Sequence, residues 1–289
     1  MSVGAVDIGT NSMRLLILDD DGRQIERHVE ITGLGTGLDA SGRLDGDAMR
    51  RTVEVLEGFG DRLRTCDAVR VVATAASREA DNGPEFIDRA AEALGHRPEV
   101  ISGDQEARLA YQGAIDSLEP PEGSVPIVVD IGGGSTEFVG PDSEVSCRIG
   151  SVRLTDRLLS ERPVAFDRLE AAVAAVSEAF TVRPIENGAY WMVGVAGTWT
   201  SLVGLVRGRY VPGEVHGTVL SRTDVDRLVV KLASLSFAET ERLPGLEPAR
   251  ARVILAGSII ARESLRRFGL PEATISEADL LDALARSLL

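Results

Sequence analysis

The segment AVDIGTNS at Ala5–Ser12 recurs as VVDIGGGS at Val128–Ser135. In each copy an apolar run ends in Asp-Ile-Gly, small residues follow, and a second apolar run begins, at Leu15–Leu18 and at Glu137–Val139. Apolar runs joined by glycine, serine and threonine predict a β-hairpin. Two hairpins of the same sequence type, far apart in one chain, predict two domains that open with the same structural unit.

The rest of the chain alternates between helical and strand patterns. Apolar residues recur at helical spacing in Asp47–Leu63, and Val69–Ala73 is an apolar strand run. Ser102 and Gln105 match a capping box that opens a helix, and a later helix is predicted over Pro248–Phe268. Alternation of this kind predicts α/β layers, with ligands bound at the ends of the strands.

One segment has the composition of a linker. The sequence SLEPPEGS at Ser117–Ser124 places two prolines and a glycine between regular segments. We therefore predict an N-terminal domain over residues 1–117 and a C-terminal domain over residues 118–277.

The composition limits the classes of function. The chain has 289 residues, 44% of them hydrophobic, which is enough for two domains with apolar cores. Its net charge of −14 argues against non-specific nucleic-acid binding, which needs a basic surface. Of its 31 basic residues only Lys231 is a lysine, so a phosphate site would need a local arginine cluster. No apolar run is long enough to span a membrane and the N-terminus lacks a signal peptide, so we expect no membrane partner and a cytoplasmic location.

Cysteine and histidine are sparse. Cys66 and Cys147 lie far apart and outside any CxxC motif, so we interpret them as buried free thiols. Three histidines scattered through the chain argue against a zinc site.

The two Asp-Ile-Gly segments have the chemistry of a phosphate loop. Glycines let a turn approach a phosphate closely, and backbone N–H groups with Ser and Thr hydroxyls supply donors. Asp7 and Asp130, each at a strand end, are suited to hold Mg²⁺ or another divalent cation such as Mn²⁺, directly or through water. A single turn of this type would usually be only a turn, and the second copy is what favours the functional interpretation.

The doubled hairpin resembles the actin, sugar-kinase and heat-shock chaperone superfamily. Within it, the chain is similar to the exopolyphosphatase/guanosine pentaphosphate phosphohydrolase (Ppx/GppA) family. The matching segments span nearly the whole chain in the expected order: DIGTNSMR (7–14), ITGLGTGLD (31–39), VVATAASREA (71–80), VISGDQEARLAYQG (100–113), VVDIGGGSTEFV (128–139), GSVRLTDRLL (150–159), VGVAGTWTSL (193–202), VHGTVLS (215–221) and LPGLEPARARVILAGSII (243–260).

This resemblance implies an α/β fold with two actin-like (ribonuclease H-like) domains and an interdomain cleft, in a short two-domain form. It also implies a homodimer. The terminal helix, at about residues 278–289, is expected to pack back on the N-terminal domain.

The resemblance further implies roles for three charged residues. Glu106 falls on the family's catalytic glutamate, which activates the attacking water; taken alone, a first-turn glutamate is equally explained by the helix dipole. Arg78 falls on a phosphate-contacting arginine, although an isolated arginine near a helix start is usually a solvated surface charge. Glu137 matches a glutamate implicated in positioning metal or water, with an exposed strand carboxylate as the alternative.

The same resemblance implies that the phosphate is bound by the two hairpin loops and by a later glycine turn. The implied phosphate-binding residues are Thr10, Asn11, Ser12, Arg14, Gly132, Gly133, Gly134, Ser135, Gly197 and Thr198. Arg153 is a further candidate, and His216, in a motif that the family shares, is interpreted as structural.

The chain departs from the family pattern at two places. Gln105 stands where the family often has a glutamate, which reduces the local negative charge. SEADLLDALARSLL at Ser276–Leu289 replaces a pattern like Ser-x-x-Gly-Leu-Arg-Glu-Gly, so the phosphate contact of that arginine is in doubt.

The sequence therefore predicts a phosphoanhydride hydrolase, namely an exopolyphosphatase that releases terminal orthophosphate from inorganic polyphosphate by metal-assisted attack of water. One alternative is a guanosine pentaphosphate phosphohydrolase, and another is a polyphosphate- or nucleotide-binding regulator without turnover. A sugar or acetate kinase and a filament-forming actin relative are the remaining rivals; the missing sugar-site signature argues against the kinase.

Overall fold

The structure is a computed structural model, and it describes residues 1–10, 12–35, 37–116, 118–184 and 188–289. Its internal contacts divide into two units, Met1–Gly113 with Asp279–Leu289, and Ala114–Ala278. The predicted linker begins at Ser117, which lies outside the described residues, and the division of contacts falls four residues before it.

The elements of the first half of the chain are the following: β1 Ser2–Ile8, β2 Ser12–Asp19, β3 Gln24–Ile31, α1 Leu38–Ser41, α2 Gly46–Leu63, β4 Ala68–Ala73, α3 Ala75–Glu79, α4 Gly83–Leu94, β5 Glu99–Val100 and α5 Gly103–Ile115. Those of the second half are β6 Val125–Ile131, β7 Thr136–Val139, β8 Glu144–Cys147, α6 Ser151–Leu158, α7 Phe166–Ala179, β9 Tyr190–Val195, α8 Ala196–Arg207, β10 Thr218–Ser221, α9 Arg222–Ala233, α10 Phe237–Glu241, a 3₁₀ helix at Pro248–Arg250, α11 Ile254–Arg267, β11 Glu272–Ile275 and α12 Leu280–Arg286.

The first unit is built on a five-stranded sheet in the order β3-β2-β1-β4-β5. Strands β1 to β3 are antiparallel, whereas β4 runs parallel to β1 and β5 runs parallel to β4. Successive side chains of a strand point to opposite faces. Val6 and Ile8 of β1 therefore join the apolar cluster that includes α2 and α4, while Val3 and Ala5 join the cluster on the other face. Asp7 shares this second face.

Helix α12 closes the second face of that sheet. Leu280, Leu281 and Leu284 are buried in the cluster with β1 and β2, so the end of the chain completes the core of the first unit. Gly113 of α5 lies against the start of this segment, because a Cβ there would come 1.8 Å from the carbonyl oxygen of Asp279. Only glycine permits so close an approach of two backbones.

The second unit repeats this arrangement around a six-stranded sheet in the order β10-β11-β9-β6-β7-β8. Strands β6 to β8 form an antiparallel meander and β9 is parallel to β6, as in the first unit. Helix α11 is buried from Ile254 to Leu265 and forms the centre of the apolar cluster.

The fold class predicted from the resemblance is confirmed: the chain is α/β and contains two actin-like (ribonuclease H-like) sheets. The two Asp-Ile-Gly segments lie in equivalent hairpins, β1–β2 and β6–β7.

The helix predicted over Pro248–Phe268 is wrong at its start, because a 3₁₀ turn and a break precede α11. The cleft between the domains stays a prediction. Among the described helices, none has the length and apolar character needed to span a bilayer.

Candidate active site

The turn of the first hairpin is closed by two backbone hydrogen bonds. The N–H of Gly9 donates to the carbonyl of Ser12 at 3.1 Å, and the N–H of Gly35 donates to the carbonyl of Thr10 at 2.8 Å. Gly35 packs so closely on this turn that a Cβ would come 2.3 Å from Cγ2 of Thr10. The predicted phosphate ligand Asn11 lies outside the described residues, while Thr10 and Ser12 stand on either side of it.

Asp7 is engaged by an arginine on the neighbouring strand. Asp7 and Arg14 are register partners across β1 and β2, and Nε and Nη2 of Arg14 donate to Oδ2 of Asp7 at 2.8 and 2.6 Å. The Asp7 side chain is only 4% exposed, and its Oδ1 is buried with no hydrogen-bond partner among the described residues. Burial raises the pKa of Asp7, an effect that Arg14 opposes and that the carboxylate of Asp279 reinforces.

Asp279 is a further member of this cluster that the sequence patterns did not single out. Nη1 of Arg14 donates to Oδ2 of Asp279, so one guanidinium pairs with two carboxylates. The other oxygen of Asp279 accepts from the N–H of Leu281 at 2.9 Å and caps helix α12. The signal available in the sequence was the N-cap pattern of Asp279 with Asp282, which marks a helix start and not an arginine partner.

Glu106 and Arg78 lie together on the same unit. Glu106 is in the first turn of α5. The predicted capping box at the start of this helix is confirmed: the N–H of Ser102 donates to Oε1 of Gln105 at 2.9 Å, and the N–H of Gln105 donates to Oγ of Ser102 at 3.2 Å. Nη1 of Arg78 donates to the carbonyl of Ile101 at 2.8 Å and lies 3.7 Å from Oε2 of Glu106.

The electrostatic surroundings of Glu106 suit a general base. Burial raises the pKa of Glu106, the nearby Asp7 raises it further, and Arg78 and Arg14 lower it. A carboxylate whose pKa is raised above the ordinary glutamate value is a stronger base than an exposed one. The first unit therefore gathers four of the predicted residues, Asp7, Arg14, Arg78 and Glu106.

The turn of the second hairpin has the same backbone closure, with the N–H of Gly132 donating to the carbonyl of Ser135 at 3.0 Å. Its carbonyls face the start of helix α6: the N–H of Ser151 donates to Gly132 at 2.9 Å, and that of Val152 donates to Gly133 at 2.9 Å. Gly133 and Gly134 are both exposed, so this turn is accessible to a ligand. An exposed, glycine-rich turn at a strand end is typical of a phosphate loop.

Gly150, Gly134 and Arg153 complete the contact between this loop and helix α6. A Cβ at Gly150 would come 2.5 Å from the carbonyl carbon and oxygen of Gly133 and 2.6 Å from the nitrogen of Gly134. The backbones can therefore meet only because residue 150 is glycine. Nε of Arg153 donates to the carbonyl of Gly134 at 3.0 Å, so Arg153 braces the loop.

Asp130 and Glu137 face each other across the second hairpin. They are register partners on β6 and β7, and both are half-buried. Side chains directly opposite each other in an antiparallel pair have Cβ atoms about 4.5–5.5 Å apart. One oxygen of Glu137 accepts from the hydroxyl of Ser146 at 3.0 Å. Two neighbouring carboxylates that solvent can reach fit the oxygen ligands of a hard divalent cation.

Gly197 and Thr198 open helix α8 in the second unit. The hydroxyl of Thr198 is buried and donates to the carbonyl of Ile131 at 3.3 Å, which ties the helix to the end of β6. Gly197 lies under the guanidinium of Arg250, since a Cβ there would come 2.1 Å from its Nη1. Arg250 is a cation at this turn that the sequence analysis did not identify.

His216, which the sequence analysis interprets as structural, belongs to a hydrogen-bond network with Glu277. Its Nδ1 accepts from the N–H of Glu277 at 3.2 Å. The carboxylate of Glu277 in turn accepts from the backbone N–H groups of Gly213, Val215 and His216 at 3.0, 3.1 and 3.0 Å. This network orders the loop that precedes β10.

Comparison with known proteins agrees with the motifs and the geometry. Residues 18–284 match the model of the Ppx/GppA phosphatase family. Exopolyphosphatase 2 of Mycobacterium tuberculosis is 36% identical, and the alignment covers 99% of this chain and 98% of that protein. A Ppx/GppA family member of Aquifex aeolicus superposes with a TM-score of 0.89 at 31% identity, covering 100% of this chain and 97% of the other. An exopolyphosphatase of Cytophaga hutchinsonii superposes with a TM-score of 0.82 at 25% identity, with the same coverage.

The family model covers most of the chain, and the relatives match it from end to end. Both findings agree with the doubled Asp-Ile-Gly hairpin and with the placement of Glu106 beside Arg78. The family predicted from the sequence and the enzyme class that goes with it are confirmed: the chain belongs to the Ppx/GppA phosphatase family and is a phosphoanhydride hydrolase.

Proposed function

We propose that this protein is an exopolyphosphatase that releases orthophosphate from the end of inorganic polyphosphate. The observation that carries the proposal is Glu106, a partly buried carboxylate with a raised pKa that lies 3.7 Å from the guanidinium of Arg78. A base next to a phosphate-binding cation is what attack of water on a phosphoryl group requires. The similarity to a protein named exopolyphosphatase supports this choice of substrate.

In the proposed reaction Glu106 orients a water molecule and accepts one of its protons. The water oxygen forms a bond to the terminal phosphorus while the bridging P–O bond breaks in line with it. The products are orthophosphate and a chain shorter by one phosphate. Arg78 stabilises negative charge on the transferred group. The exposed glycine loop at Gly132–Ser135 is proposed to bind phosphate oxygens of the substrate. Because phosphoanhydrides have good leaving groups, positioning and electrostatics supply most of the acceleration.

A divalent cation, Mg²⁺ or Mn²⁺, is part of the proposal. Asp130 and Glu137 would hold it, since their carboxylates face each other across β6 and β7 and oxygen is the ligand that such cations take. When bound, the cation would neutralise charge on the phosphate chain and fix its orientation. Asp7 is the weaker candidate for a direct ligand, because Arg14 occupies its Oδ2 and its Oδ1 is buried.

Two alternatives keep specific support. Guanosine pentaphosphate also ends in a phosphoanhydride, and the chemistry at Glu106 would be the same. A binding regulator without turnover is favoured by Gln105, which replaces a carboxylate of the family pattern, and by the pairing of Arg14 with two carboxylates.

The test is the release of phosphate from polyphosphate and from guanosine pentaphosphate, with and without Mg²⁺. We expect wild type to act on polyphosphate and Glu106→Gln to lose about 10²- to 10⁴-fold in kcat. Glu99→Gln is the matched control, because Glu99 pairs with Arg70 at 3.2 Å on the surface of the same unit. Binding without release in wild type would support the regulator, and faster release from guanosine pentaphosphate would name the other substrate.

The homodimer and the cytoplasmic location stay predictions, as does the absence of nucleic-acid and membrane partners. Light scattering after size-exclusion chromatography would test the homodimer, with twice the mass of 30.8 kDa expected.

A further inference from the structure

The pairing of Arg14 with Asp279 raises a question about substrate recognition. Arg14 was predicted to bind phosphate, yet its guanidinium already has two anionic partners. Nε and Nη2 face Asp7, whose side chain is 4% exposed, whereas Nη1 faces Asp279, whose side chain is 27% exposed. The Asp279 side of the guanidinium is therefore the more exposed side, and an anionic ligand is expected to approach from there.

Asp279 is held in this place by the fold. Its Oδ1 caps helix α12, and its N–H donates to Oδ2 of Asp282 at 2.9 Å. Its backbone is packed against Gly113, where no side chain would fit. The carboxylate is thus fixed to the start of α12, and a ligand that takes Nη1 must displace Oδ2 from the guanidinium while the helix stays capped.

We propose that Asp279 is a positioning residue that sets substrate specificity by competing with the phosphate groups of the substrate for the solvent-side nitrogen of Arg14. The proposal rests on the proposed function, since it assumes that the ligand is a chain of phosphates. A phosphate oxygen replaces the carboxylate oxygen at Nη1, and no bond other than hydrogen bonds is made or broken.

The physical reason is the charge balance at Arg14. The carboxylate of Asp279 offsets the positive charge of the guanidinium and so weakens its attraction for an anion. A ligand with several adjacent phosphates also binds other hydrogen-bond donors of the site, and these contacts compensate for the weaker attraction at Arg14. Orthophosphate alone lacks these additional contacts. Asp279 therefore favours long, densely charged ligands over the product.

The decisive variant is Asp279→Asn, which removes the charge and retains a good N-cap for helix α12. We expect KM for polyphosphate to fall about three- to tenfold, the size of one screened charge at short range, while kcat changes less than twofold. Inhibition by orthophosphate should strengthen. Asp88→Asn is the control, because Asp88 pairs with Arg97 at 2.8 Å on the exposed surface of the first unit; its KM should equal that of wild type.

A double-mutant cycle separates action through Arg14 from a general loss of negative charge. In an Arg14→Gln background, Asp279→Asn should no longer lower KM. A fall in KM that persists in that background would overturn the proposal, as would an unchanged or raised KM in the single variant.

Failure of the proposed function has a different signature. If wild type hydrolyses no phosphoanhydride, calorimetric binding of tripolyphosphate supplies the same comparison, and tighter binding by Asp279→Asn supports the competition. Equal binding by wild type and the variant, or no binding by either, overturns it. Thermal unfolding of each variant shows whether a changed affinity reflects a lost cap.

Discussion

The two Asp-Ile-Gly hairpins close with the same backbone hydrogen bond, and the residues that face their aspartates have opposite charges. In both, a glycine N–H closes the turn on a serine carbonyl, at 3.1 Å for Gly9 and at 3.0 Å for Gly132. In both, the aspartate faces a side chain on the next strand. That side chain is Arg14 opposite Asp7, and Glu137 opposite Asp130.

The difference shows how one repeated turn acquires two kinds of chemistry. An arginine opposite the aspartate gives a buried ion pair that supplies its own cation. A glutamate opposite the aspartate gives two neighbouring carboxylates, which are the ligand type of a hard divalent cation. The strand ends are thus equivalent in geometry, and the cross-strand partner decides what each can bind.

The largest effect is expected from removing an aspartate in the second hairpin. Asp130→Asn should lower kcat/KM on the order of 10²-fold or more and raise the Mg²⁺ concentration needed for half-maximal activity, because a proposed ligand loses its charge. Asp7→Asn is the comparison, and its Mg²⁺ requirement should stay that of wild type. A shifted Mg²⁺ titration for Asp7→Asn would break the proposed division of roles.

Removing the arginine of the first hairpin should act on stability. Arg14→Leu leaves the carboxylate of Asp7 buried without its cation, which costs about 3 kcal/mol in the free energy of unfolding. Arg97→Leu removes an exposed partner of Asp88 and should cost at most about 1 kcal/mol. Urea unfolding measures both values, and equal losses would contradict the distinction between a buried and an exposed pair.

The glycines that pack against the two hairpin loops should differ in how well they tolerate a larger side chain. Gly150→Ala sets a Cβ against the backbone of Gly133, whereas Gly35→Ala meets the end of the Thr10 side chain, which can rotate. We expect Gly150→Ala to raise KM by about tenfold, on the order of 1.4 kcal/mol, and Gly35→Ala to raise it less. If Gly35→Ala raised KM more than Gly150→Ala, the first loop would be the one that is more sensitive to an added methyl group, contrary to this prediction.

The smallest effect concerns the pH dependence of the rate. The pKa of Glu106 is raised, mainly by burial, so the base is protonated at low pH and kcat should rise with pH through a value above the ordinary glutamate pKa. Arg78 lowers this pKa, so Arg78→Gln should move the rise in kcat to higher pH. A pH profile that shifts to lower pH, or not at all, would contradict the assignment of Glu106 as the base.

Much of the fold was predictable because it depends on local patterns. The hairpins follow from apolar runs that meet at Gly and Ser, and α2 follows from an apolar face with helical spacing. No strand was predicted at Gln24–Ile31, because this edge strand is largely exposed on both faces and lacks alternation. The helix assigned from Pro248 starts only at Ile254, because the apolar pattern does not reveal the break at Val253.

The site was predictable where motifs carry the chemistry. Glu106 and Arg78 were identified through the family resemblance of their segments, and the structure places them together. Asp279 and Arg250 were not found, because their contacts join segments far apart in the chain and depend on how α12 and the 3₁₀ turn pack. Pattern and spacing carry no information about such long-range pairs.

The return of helix α12 to the first sheet sets an order of events during synthesis. Strands β1 and β2 are made early, yet the apolar cluster around Val3 and Leu16 is completed only by Leu281 and Leu284 near the end of the chain. While a ribosome adds the intervening residues, Ile101 and Leu109 can cover part of this face, and the part that α12 covers stays open to water and to other chains. The second unit, whose residues are continuous from Ala114 to Ala278, can complete its core first. The domain that is translated first is therefore the one that finishes folding last.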